Sequence, residues 1–197
     1  MNSTNGATIP LPTMSTTDEK PMRADARRNR DAILASAGAL FAERGSAVQM
    51  DEIAEHTGLG MGTLYRHFPT KRALLAAIVG ERFRGMTELA RAAAQIADPA
   101  DAFEALLRTY LEAADRDAAF RLAVLGPERP DWDALIEQKN DFVQIAGPIM
   151  TRAAAAGHLR ADFTITDFVL VTRGVMANMT PDGNWRRHLE LTLQGLR

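Results

Sequence analysis

The stretch that most constrains this chain is Met50-Asp-Glu-Ile-Ala-Glu-His-Thr-Gly-Leu-Gly-Met-Gly-Thr-Leu-Tyr-Arg-His-Phe68. It reads as two short helices, Met50 to about Thr57 and Gly62 to Phe68, joined through Gly58-Leu59-Gly60. That layout is a helix-turn-helix, whose second helix can enter a DNA major groove. Ile53 and Leu64 are the expected apolar contacts between the helices. Ala54 is small where they cross, and Gly58 can take the positive φ of a tight turn. The outward face of the second helix then carries Thr63, Tyr65, Arg66 and His67. Met61 lies between Gly60 and Gly62, a costly helix start that close approach of backbone to a ligand would justify.

The surroundings extend the pattern. Ile33, Leu34, Ala37, Leu40 and Phe41 form one apolar stripe on a preceding helix, which Gly45 ends. Thr70 can cap a long helix from Lys71 to about Ile96. Beyond it the chain is rich in Ala and Leu, with breaks at Asp98-Pro99, 126–130, Gly157-His158 and 180–183. These mark helices near 99–114, 117–125, 131–156, 165–179 and 183–195, with a kink or split expected at Pro148. No run alternates with period two, so the expected class is all-α. The organisation follows: a disordered polar tail over 1–22, a three-helix reading domain over 23–70, and a larger helical domain over 71–197, joined by the long helix.

Charge averaged over the chain argues against nucleic acid, because 23 Lys+Arg against 25 Asp+Glu leave a net −2. Residues 21–84, however, hold 10 Lys+Arg against 7 Asp+Glu, while residues 85–197 hold 12 against 16. The basic bias therefore sits on the part that would meet phosphates, Arg28 among its members. The absence of cysteine excludes disulfides, thiolate zinc sites and a cysteine nucleophile. The four histidines show no metal-ligand spacing, and no acid–base constellation converges, so neither a cofactor nor catalysis is expected. No membrane-length apolar run or secretion signal is apparent, and a cytoplasmic location is expected.

ILASAGALFAERG followed by MDEIAEHTGLGMGTLYRHFPTKRALL, in that order and spacing, resembles the DNA-binding domain of TetR-type transcriptional regulators. The resemblance implies a dimer that binds double-stranded DNA at a palindromic operator. It further implies release or recruitment by a small-molecule effector, held among the C-terminal helices. By position it assigns Gly62, Thr63 and Tyr65 to bases or nearby phosphates, and His67 and Lys71 to phosphates. Gln49 stands where Ser or Thr commonly caps the second helix and touches the backbone, and Met61 stands where many members carry a polar side chain.

Phe103, Leu107, Tyr110, Phe120, Trp132, Phe142 and Met150 are the expected lining of a cavity for a moderately apolar effector. Phe168, Val171, Val175, Met179, Leu189 and Leu193 are the expected homodimer face on the last two helices. A ligand-responsive repressor is the leading reading. The alternatives are an activator, a corepressor-dependent regulator, or a small all-α ligand carrier or enzyme.

Overall fold

The computed structural model describes residues 19–196, so the expected disordered tail lies outside the described residues up to position 18. Nine α-helices follow, and no strand occurs among the described residues. They are α1 (Glu19–Arg44), α2 (Met50–Thr57), α3 (Met61–His67), α4 (Lys71–Ala94), α5 (Pro99–Asp115), α6 (Ala118–Leu125), α7 (Ile136–Ala155), α8 (Ile165–Met176) and α9 (Trp185–Gly195). Short 3-10 turns precede α2 and α7.

Most boundaries are set by local chemistry. Thr70 Oγ1 accepts from the Ala73 N–H at 3.1 Å and opens α4. Asp98 accepts from Ala100 and Asp101, with Pro99 in the first turn, where its missing N–H has no partner to lose. Thr164 and Asp167 cap α8 reciprocally, and Asn184 caps α9. Three departures stand out. Helix α1 already contains Glu19–Met22, part of the stretch expected to be a tail. Helix α8 ends at Met176 rather than Met179. Helix α7 passes through Pro148 as one element, held by its packing on α4 and α5, so the expected split is absent.

One continuous core runs from Ile33 and Phe41, through Ile53, Leu64 and Phe68, to Phe142, Phe168 and Leu189. Helix α4 lies at its centre, packed on α1, α5, α6 and α7. Gly80 lets α7's approach come close, since a Cβ there would sit 3.0 Å from Leu135 Cδ2. Helix α6 touches both α1 and α4, and α8 and α9 pack on one another at the far end. No helix among the described residues is long and apolar enough to cross a membrane.

Candidate nucleic-acid interface and internal cavity

Helices α2 and α3 are held at a fixed angle by few contacts. Ile53, Ala54 and Leu64 are fully or almost fully buried. Gly58 adopts φ +69°, the left-handed region that ends α2 without a Cβ penalty. The Leu59 N–H then donates to Ala54 O at 3.2 Å, while the Thr57 hydroxyl donates to the same carbonyl at 2.8 Å. Phe68 closes α3 from below with 2% exposure, and the Arg30 guanidinium lies 4.9 Å from its ring centroid.

With Leu64 as its one buried residue, α3 turns the rest of its side chains outward. Met61, Gly62, Tyr65 and Arg66 are exposed, and Thr63 and His67 are half-buried. Met61 and Tyr65 are among the few large apolar-bodied side chains left open to solvent, 41% and 44% exposed. Such exposure, on a face with no partner inside the protomer, suits groove contact: an O–H donor at Tyr65 and an apolar surface for a thymine methyl at Met61.

The remaining sequence-assigned positions are differently engaged. Arg28 is exposed but paired with Asp25. Gln49 is exposed and occupies the N-cap of α2; its backbone N–H donates to the Glu52 carboxylate at 2.7 Å and its amide to Ala47 O at 2.9 Å. The Gln49 N–H, and next to it the Arg44 guanidinium, hold the Glu52 carboxyl below the usual carboxylate range.

Lys71 differs from expectation. Its ammonium donates to Ser46 O at 2.8 Å, lies 3.2 Å from the Glu128 carboxylate and 5.8 Å from the Phe41 ring centroid. Only 14% of the side chain is exposed. Instead of standing ready for a phosphate, it ties the end of the α1 region and the start of α4 to the α6–α7 loop. Arg66 and Arg72 are the exposed cations nearby, and no ion pair engages either among the described residues.

The C-terminal half encloses a cavity of about 300 Å³. Its wall is a ring cluster: Tyr110 lies 5.8 Å from Phe142 and 5.4 Å from Phe168, centroid to centroid, with Phe120 and Phe83 at the flanks. Burial pushes the Tyr110 phenol well above its ordinary pKa, so it stays neutral beside Thr172. Of the expected lining, Tyr110, Phe120, Trp132 and Phe142 face the cavity. Phe103, Leu107 and Met150 do not: Phe103 packs edge-on against Phe163, and the other two fill solid core. Val124 also faces the cavity, and Phe83, Lys139, Phe168, Thr172 and Arg173 are among the wall residues that were not expected there. Their helical spacing matches that of ordinary core and surface residues, which gave no signal of a void.

The residues expected at a dimer face lie mostly against the protomer's own core. Phe168, Val175 and Leu189 are buried within the protomer, and Val171, Met179 and Leu193 are half-buried against its core. The apolar side chains that face outward away from the cavity are Leu170 and Leu191, 63% and 50% exposed. Gly174 and Ala177, both exposed, continue the Leu170 face along α8 and beyond its end.

Residues 33–78 match the family model of bacterial regulatory proteins of the tetR family, and residues 98–197 match the C-terminal domain of SbtR-like transcriptional regulators. An HTH-type transcriptional regulator from Staphylococcus aureus is 50% identical over 54 residues, 27% of this chain and 29% of that relative's length. A TetR transcription regulatory protein from Mycobacterium vanbaalenii is 33% identical, with a TM-score of 0.55, over 90% of this chain and 99% of that one. AibR, in complex with isovaleryl coenzyme A and operator DNA, shares the fold at a TM-score of 0.66 and 22% identity, over 85% of this chain and 97% of its own.

Proposed function

Since the chain belongs to the TetR family of transcriptional regulators, we propose that it is a homodimeric repressor released from a palindromic operator by a small-molecule effector. The α3 faces of two protomers read successive major grooves, about 34 Å apart along the duplex. Thr63, Tyr65 and Met61 meet base edges, Gly62 lets the backbone approach, and Arg66, His67, Gln49 and Arg28 meet phosphates. The two copies join through the outward face of α8 and α9, with Leu170 and Leu191 at its centre. AibR, which is seen with isovaleryl coenzyme A and operator DNA, supports a DNA and a small-molecule partner by analogy.

One observation carries this reading: the reading helices and the cavity are joined by the same two elements. Helix α4 begins at the end of the helix-turn-helix and places Phe83 in the cavity wall. Helix α6 packs on α1 and α4 while giving Phe120 and Val124 to that wall. An effector that spreads the wall displaces both, and with them the separation of the two α3 helices. It lowers operator affinity by its differential affinity for the two arrangements and by nothing else. Lys71, bound to Ser46 O and Glu128, is the polar link in this path.

A gel-shift titration of the intact protein against the DNA upstream of its own gene tests the proposal. Two chains per duplex and competition by specific but not scrambled DNA are expected. Equal affinity for both duplexes would refute operator reading.

A further inference from the structure

We infer, on the reading that the cavity is the effector site, that its ligand is an amphipathic organic anion: an apolar body in the ring cluster and one anionic head between Lys139 and Arg173. The charged lining residues are these two, on α7 and α8, and both are cations. No Asp or Glu lines the cavity. By helical spacing both belong to the cavity face, Lys139 with Phe142 and Val143 one turn on, Arg173 with Val169 and Met176 one turn either side.

Neither cation has a hydrogen bond or ion pair among the described residues. Nine arginines and Lys71 do pair with carboxylates among the described residues, so the two cavity cations belong to the set left without an acidic partner. Arg173 is also half-buried, so its side chain is held at the cavity mouth where a bound anion would form a charge-assisted contact. Its charge reaches inward, since it stabilises the ionised form of the buried Tyr110.

The deep wall makes the opposite demand. The Thr172 hydroxyl donates to Phe168 O at 2.8 Å, so it is already engaged by its own helix. The other deep residues are aromatic or aliphatic, so what lies there must be apolar. A cationic ligand would meet two like charges, and a neutral one would leave both cations unanswered. Carboxylate and phosphate heads share the chemistry that two such cations recognise.

Isothermal titration with four matched probes separates the cases: 4-phenylbutyrate, its neutral amide, 4-phenylbutylamine and 4-phenylbutyl phosphate. One charge-assisted contact predicts that an anionic probe binds at least about tenfold tighter than the amide, and the amine weakest. Comparing the two anions identifies the head. Arg173→Met should remove most of the preference for the anion and leave the amide unchanged, while Arg173→Lys should keep it. Lys139→Met should have the smaller effect, because Lys139 is the more exposed. Amide binding equal to that of both anions in the wild type would overturn the anionic class while retaining the cavity as a site. No binding by any probe at about 1 mM, the weak limit of specific affinity, would overturn the effector-site reading and this inference with it.

Discussion

Helices α3 and α8 meet their surroundings in opposite ways. Helix α3 buries one of its seven residues, Leu64, and shows the rest to solvent. Helix α8 is apolar on two sides: Phe168, Thr172 and Met176 face a cavity, while Leu170 and Gly174 face outward. On a helix with one apolar contact, the outward face follows by elimination. On a helix apolar nearly all round, periodicity cannot tell which face is core and which awaits a partner.

The largest expected effect tests the inward face of α8. Phe168→Ala should destabilise the protomer by about 3–5 kcal/mol in denaturant unfolding, because the ring is 1% exposed. Had Phe168 stood at a two-fold interface, the loss would appear in dimer affinity instead. Leu170→Glu makes the complementary test, and sedimentation should show monomers with protomer secondary structure intact. A dimer that survives it would move the interface away from α8.

That contrast also explains what was legible in the sequence. The helix-turn-helix was readable residue by residue, since Gly58, Ile53 and Leu64 act within twenty positions of one another. Thr70, Asp98-Pro99 and Gly157 marked helix ends for the same local reason. Four of the seven expected cavity residues face the void, because aromatic character selected them. Phe103, Leu107 and Met150 share that character and pack elsewhere, and no spacing rule separates the two groups. Phe168 belongs to the inward side of α8 and not to an outward face, and nothing in the sequence pattern singles out Lys139 and Arg173. Each of these depends on which helix packs where, a tertiary fact. Lys71 shows the same limit on a motif position, since its partner Glu128 lies 57 residues along the chain.

Lys71 and Arg66 sharpen the comparison at the interface. Arg66→Ala should flatten the dependence of log operator affinity on log salt by about one counterion. Lys71→Ala should leave that slope unchanged, because its ammonium already serves Ser46 and Glu128. Equal slope changes would make Lys71 a phosphate contact after all.

The smallest effect concerns the Glu52 cap. Its carboxyl is held low in the folded state by the Gln49 N–H and Arg44. The cap therefore contributes stability above the unfolded carboxylate's pKa and loses it as pH falls through the lower folded value. Melting temperatures through the acid range should fall less steeply for Glu52→Gln than for the wild type. An identical acid limb would mean the cap carries no stability.

The central claim, that paired α3 faces read a two-fold operator, is most directly tested by hydroxyl-radical footprinting on the DNA upstream of the gene. The account predicts two protected half-sites centred about one helical turn apart, or a multiple of it, on one face of the duplex. Both should vanish together in Tyr65→Ala. A single unphased patch of protection, or a footprint that Tyr65→Ala leaves intact, would contradict it.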